Sequence, residues 1–284
     1  HPAPGITAAE ATRDAVPYQA LLDSVRTGQT ALGGWDKTLF IDRVRLSLLS
    51  GSPQTTKTDA TQHYGTVARH LIQDLMALSD QDAAPAIVVI QSAGTRRVGT
   101  SEVILAEGQF DLDNLTLPAI VPSPAYPWPL MKGTPATPSA DASLLLDELS
   151  MLAVAEHHQG RRWFCPVMRA ATIDGRTITA EFATMAELVL EDGLHGFHIL
   201  GTQAKVKIIN AEVIGGDKVA LHLDADLPAS GVSLAYAWGH CAPDNTTDNT
   251  ANHGALRDEW TQPSKALPAH TLRRFALAGC VAVR

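Results

Sequence analysis

The chain has no cluster of Lys and Arg: its basic residues come no closer together than pairs such as Arg96-Arg97 and Arg161-Arg162. With a formal net charge of −8 and a pI of about 5.7, nothing here would release counterions from a phosphate backbone, which excludes a sequence-independent nucleic-acid binder. Cysteine is scarce as well. Cys165, Cys241 and Cys280 are widely spaced and contain no C-x-x-C, so neither a zinc site nor a disulfide framework is expected, and they read as small hydrophobes. No apolar run approaches the length that spans a bilayer, no signal peptide is visible, and no motif asks for a cofactor. Aromatic residues are only 5% of the chain, yet 45% of its 284 residues are apolar, enough to fill the core of one large or two unequal domains.

The remaining pattern is organised around Ala86-Ile87-Val88-Val89-Ile90-Gln91. This uncharged, mostly β-branched run between Pro85 and Ser92-Ala93-Gly94 predicts a strand buried on both faces, as in a parallel sheet covered by helices. Asp59 to Leu78 predicts its crossover helix, with Tyr64, Val67, Leu71 and Leu75 on one stripe and Arg69, Gln73 and Asp74 opposite. Upstream, Val44, Leu46 and Leu48 alternate with Arg45 and Ser47 until Ser50-Gly51-Ser52-Pro53 ends the run. Strand, turn, helix and strand make a βαβ unit.

His1 to Arg13, rich in Pro, Gly and Ala, reads as an arm. A short helix follows, with Pro17 in its first turn, Leu21, Leu22 and Val25 as its stripe, and Gly28 as its stop. Ser101 to Gln109 predicts another short helix, and Leu117 to Pro122 a short strand. Residues 122 to 138 hold six prolines with Tyr126 and Trp128 among them, a rigid exposed loop. Thr137-Pro138 predicts the start of a helix lined by Leu145, Leu149 and Leu152 that ends near Gly160.

From about residue 161 the period changes. Ile173-Asp174-Gly175-Arg176 signals a turn, after which Ile178, Ala180 and Phe182 alternate. Val206 to Ile209, Val219 to Leu223 and Val232 to Trp238 repeat the pattern, separated by Gly215-Gly216-Asp217 and Pro228-Ala229-Ser230-Gly231, at the spacing of a β-sandwich. The expected architecture is therefore α/β: a parallel sheet with flanking helices over residues 1–160, then a smaller antiparallel β-sandwich-like domain over 161–284.

This layout resembles the SGNH (GDSL-like) hydrolases, in particular carbohydrate esterases similar to sialate O-acetylesterase. In that family a strand ends in G-E-x-D, a helix with a Tyr and a Leu-rich stripe follows, and the next strand ends in Gln. The corresponding pieces here are Ser50-Gly51-Ser52-Pro53, His63-Tyr64 through Leu75, and Ile90-Gln91. Gly193-Leu194-His195-Gly196-Phe197-His198-Ile199, Tyr236-Ala237-Trp238 and Asn252-His253-Gly254-Ala255-Leu256-Arg257 are similar to segments of the family's β domain. The resemblance implies a partial, flavodoxin-like sheet whose first strand, with the nucleophile block, lies before residue 1. It also implies an edge covered by another protein chain or an N-terminal segment.

The family's catalytic blocks are degenerate in this chain. Gly51-Ser52-Pro53-Gln54 lacks both carboxylates, and Thr134-Pro135-Ala136-Thr137 stands where the family has D-x-x-H. A literal D-x-x-H does occur at Asp192-Gly193-Leu194-His195, so an active form would draw on Asp192 and His195, whereas the bland reading is a β-turn. Ser92 after a strand imitates a nucleophile but reads as a turn residue. His157-His158 suits a helix C-terminus better than a metal, and the loop with His240, Asp244, Asp248 and His253 lacks the regular oxygens of a calcium site. Tyr126, Trp128 and Trp238 are the aromatic rings available to stack on a sugar. The expectation is a non-catalytic glycan-binding or structural module of a larger assembly such as a virion spike or fibre, with carbohydrate as its ligand. The alternative is an active O-acetylesterase whose Ser lies outside this chain.

Overall fold

A computed structural model describes residues 12–47, 55–93, 101–131, 134–191, 196–202, 206–228, 231–239 and 253–284. The first helix, α1 (Val16–Gly33), buries Tyr18 and Leu22 one turn apart. It runs through Gly28 rather than stopping there, and Leu21 points outward. A Cβ at Gly28 would meet open space, and the residue's weak helix propensity, about 1 kcal/mol, is not enough to end the helix. After the short strand β1 (Arg43–Arg45), α2 (Lys57–Ser79) starts where the Thr56 hydroxyl accepts from Asp59 N–H. Its buried stripe contains Tyr64, Val67, Leu71 and Leu75, as the spacing predicts. The Tyr18 hydroxyl and the Arg13 guanidinium both donate to Asp74, tying α1 to α2.

The central strand β2 (Ala86–Val88) is buried on both faces. It is followed by α3 (Glu102–Gly108), the single turn α4 (Phe110–Asp113) and β3 (Ala119–Ile120). The parallel order is β1-β2-β3. Ala86 donates to Asp42 O and Leu46 to Val88 O on one side of β2, while Ile87 and Val89 donate to Pro118 O and Ile120 O on the other. Beyond the hairpin of β4 (Leu130–Met131) and β5 (Thr134–Pro138) comes α5 (Ala140–His158). The expected start at Thr137-Pro138 is corrected by two residues: Thr137 and Pro138 belong to β5, and Ser139 is the cap, accepting from Ala142 N–H. α5 lays Ala153 and Val154 on Ala86, Val88 and Ile120, whereas α2 and α3 cover Ile87 and Val89 on the opposite face.

The remaining strands are antiparallel. They are β6 (Val167–Asp174), β7 (Thr177–Ala183), β8 (Leu188–Leu190), β9 (Phe197–Leu200), β10 (Ile208–Ile214), β11 (Lys218–Leu223), β12 (Ser233–Tyr236), β13 (Leu256–Pro263), β14 (Thr271–Phe275) and β15 (Gly279–Ala282). They form three sheets, ordered β10-β11-β7-β6, β15-β12-β9 and β14-β13-β8. Both glycine turns read from the sequence are hairpins: Gly175 has φ +57° between β6 and β7, and Gly215 and Gly216 have φ +62° and +82° between β10 and β11. A parallel contact of Ala171 with Val283, closed by hydrogen bonds of Ile173 and Arg284, links β6 to the C-terminal strand.

One apolar core crosses residue 160. Ile90, Ile104 and the α5 leucines Leu145, Leu146 and Leu149 pack in the same cluster as Ile178, Phe182, Leu221, Leu234 and Leu256. At the boundary sits a buried ion pair. Arg274 Nη2 lies 2.7 Å from Asp258 Oδ2 with side chains 6% and 0% exposed, and the guanidinium stands 5.3 Å and 5.4 Å from the ring centroids of Trp163 and Trp260. Gly196 shows what close approach requires. At φ +80°, a Cβ there would lie 2.5 Å from His253 O, so Gly196→Ala is expected to cost more than about 1 kcal/mol, read as a lower urea midpoint at unchanged slope.

Candidate functional site at the end of the central strand

Open parallel sheets bind ligands beyond the carboxyl ends of their strands. At that end of β2 lie Gln91 and Ser92, and facing them is Glu107 of α3. Glu107 is fully buried because it shares the inward face of a short helix with Val103, Ile104 and Ala106. Its carboxyl accepts three hydrogen bonds: Ser92 N–H to Oε2 at 2.7 Å, Ser92 Oγ to Oε1 at 3.1 Å and Tyr64 O–H to Oε1 at 2.8 Å. Burial pushes its pKa up to about 7, and those donors hold it back from rising further.

Gln91 is committed just as fully. Its amide Nε2 donates to Ile104 O and Ala278 O, and its Oε1 accepts from Ala278 N–H at 2.7 Å, so it clamps β2, α3 and the run before β15 together. A side chain on Gly108 would run into that amide. Chemically, the arrangement holds a proton on a carboxyl and uses the Ser92 hydroxyl as a donor to it. Among the described residues no imidazole bonds to Ser92. Burial lowers the pKa of His63 and of His253.

Asp192 and His195, like His240, Asp244, Asp248 and Cys241, lie outside the described residues, as does Ser50-Gly51-Ser52-Pro53. The flanks of the first pair are placed. Glu191 N–H donates to Ala255 O, Ala237 N–H to Gly196 O, and Trp238 Nε1 to Ser101 O, so Glu191, Gly196, Trp238 and Ser101 belong to one connected region.

The aromatic expectation needs correction. Trp128 is only 7% exposed, donates to Ser123 Oγ and meets Phe275 edge-on. Tyr126 is buried, with its hydroxyl donating to Ala276 O and paired with the Tyr236 hydroxyl at 2.8 Å. The proline-rich segment folds these rings into the shared core, because each polar edge finds a partner there. Neither ring presents a face to a sugar. Trp238 remains half-buried.

His158 Nε2 lies 2.7 Å from Asp42 at the end of α5, on the surface, and among the described residues no group of His, Cys, Asp and Glu could hold a metal. Cys165 is buried with its thiol pushed up by burial, and that of the half-buried Cys280 is raised for the same reason. Sequence reasoning missed Glu107, although an acid at helical spacing among Val103, Ile104 and Ala106 was a readable sign of a buried carboxyl.

Fold and site together define an α/β layer with parallel β1-β2-β3, joined through one core to antiparallel sheets, with a serine and a buried carboxyl at the end of its central strand. No family model matches the chain, and no curated protein matches it. Among solved structures it is similar to a carbohydrate acetylesterase from Xanthomonas citri, with 18% identity, 80% of this chain covered and a TM-score of 0.45. The chain spans 47% of that esterase's length. It is also similar to the S-layer protein SbsC, at 11% identity over 70% of this chain and 22% of that one, with a TM-score of 0.24. The N-terminal part of SbsC matches at 12% identity over 84% and 53%, with a TM-score of 0.23.

Proposed function

We propose that the chain is a non-catalytic glycan-binding or structural module built on the layout of a carbohydrate esterase, serving as part of a larger assembly such as a virion spike or fibre. One observation supports the non-catalytic reading for the serine this chain places at a strand end, the family's own nucleophile block being expected before residue 1. The serine at the end of the central strand spends both its N–H and its hydroxyl on Glu107, and a nucleophile needs that hydroxyl directed at substrate with a base behind it. The degenerate blocks at Gly51-Ser52-Pro53-Gln54 and Thr134-Pro135-Ala136-Thr137 support the same reading. Trp238 is the ring through which a sugar would be bound.

The test is hydrolysis. No acetyl release from p-nitrophenyl acetate or acetylated oligosaccharides is expected above a heat-killed control, and Trp238→Ala should weaken glycan binding where His195→Ala leaves it intact. The second reading is an active carbohydrate O-acetylesterase whose Ser lies outside this chain and which would draw on Asp192 and His195. Esterase activity that disappears with His195→Ala would establish that reading and overturn the first.

A further inference from the structure

Among the described residues the outer side of β1 carries backbone groups without a partner. Asp42, Val44 and Leu46 face β2, so Arg43 and Arg45 direct their N–H and C=O groups away from the sheet, and among the described residues neither finds a backbone partner. An unpaired strand edge is a template for another strand. Its surroundings set exposed apolar side chains among the ion pairs Arg43–Asp42 and Arg45–Asp147. Leu144 and Met151 of α5 are 48% and 55% exposed, one turn or so to either side of Asp147, which reaches Arg45 at 3.1 Å and so fixes that row above the edge. Phe40, just before β1, is 58% exposed.

We infer that this edge accepts an extended segment of another protein chain, alternating acidic with β-branched apolar residues. The acidic positions would lie beside Arg43 and Arg45, whose side chains share one face of β1 and whose own partners, Asp42 and Asp147, are exposed surface groups. The apolar positions would continue the row of Val44 and Leu46 on the other face. A second copy of this chain is the poorer occupant. Edge-to-edge pairing about a two-fold axis sets Arg43 opposite Arg45, and like charges directly across a strand pair are destabilising. The inference rests on the proposed role as part of a larger assembly, but the two fail separately: esterase activity would overturn the non-catalytic reading and leave the edge untouched.

Amide hydrogen exchange on the full chain tests it, with short peptides alternating valine with glutamate or valine with lysine as probes. Arg43 and Arg45 amides should exchange fast beside protected Val44 and Leu46, and should gain protection with the valine–glutamate peptide. The lysine peptide should bind at least about tenfold more weakly. Arg43→Pro removes an outward N–H without touching the β1–β2 ladder and should also weaken binding by about tenfold, the worth of one hydrogen bond. Absence of protection, or equal binding of the two peptides by the unaltered chain, would overturn the proposal. So would a dimer, at twice the 30.2 kDa chain mass in light scattering, that Arg43→Pro dissociates, since the edge would then belong to a second copy.

Discussion

Between pH 4.5 and 7 the contribution of Glu107 to stability should fall, and replacing it with Gln should remove that fall. The carboxyl is raised from its ordinary value of 4.5 to about 7, chiefly by burial, so the folded chain holds a proton that the unfolded chain has already released. Stability from this group is complete below the unfolded value and is lost as pH rises through the folded one, by about 3 kcal/mol in all. This is opposite in sign to ordinary acid denaturation. Asp111, pushed up to about 6 mainly by burial, contributes in the same direction, so the informative quantity is the difference between the parent chain and Glu107→Gln. Urea unfolding at intervals across that range should show the two curves separating toward high pH, the parent falling relative to Glu107→Gln. Parallel curves would mean that Glu107 titrates normally and is not buried in the folded chain.

Removing the charge of Arg274 should have an effect at least as large. Asp258 is 0% exposed; its Oδ1 accepts from Arg274 Nε at 3.2 Å and from the Trp260 N–H at 3.0 Å, and its Oδ2, which has no hydrogen-bond partner among the described residues, lies 2.7 Å from Arg274 Nη2 as an ion pair. Arg274→Met would leave that carboxylate buried and uncompensated, at a cost of about 3 to 5 kcal/mol. Asp258→Leu together with Arg274→Met should recover much of the loss, because a dry apolar pair no longer has a charge to desolvate. A double-mutant cycle in urea checks this, and simple additivity of the two losses would show that the ion pair is not the coupling element. Trp163 and Trp260 should also change fluorescence in Arg274→Met, since the cation lies against both rings.

Local pattern alone was enough for the elements whose signal is a long period or a glycine turn. The stripe Tyr64, Val67, Leu71, Leu75 is the buried side of α2, the apolar run from Ala86 is the central parallel strand, and the glycines at 175 and 215–216 turn hairpins. These are consequences of short-range geometry, and neighbouring residues are sufficient to decide them. Competition between nearby signals was harder to read. Ser139 outbid Thr137 as the cap of α5 because the β4–β5 hairpin holds Thr134–Pro138, and that pairing is not a property of the residues at the helix start.

What only the tertiary structure decided is where polar and aromatic groups ended up. Trp128 among prolines has the composition of an exposed loop, yet Phe275, far along the chain, gives it an apolar face and Ser123 takes its N–H. Asp258 and Arg274 lie on the paired strands β13 and β14, and the guanidinium is covered by Trp260 of β13 and by Trp163, which arrives from outside both strands. Glu107 acquires its raised pKa from burial, and the hydrogen bonds that hold it back come from Ser92 and Tyr64, 15 and 43 residues away. The sequence by itself determined periodicity, turns and the order of the parts, because those depend on side chains within a few positions of one another. Burial of a charge and the availability of a ring depend on what arrives from elsewhere in the chain, so they were settled only when the sheets and helices packed.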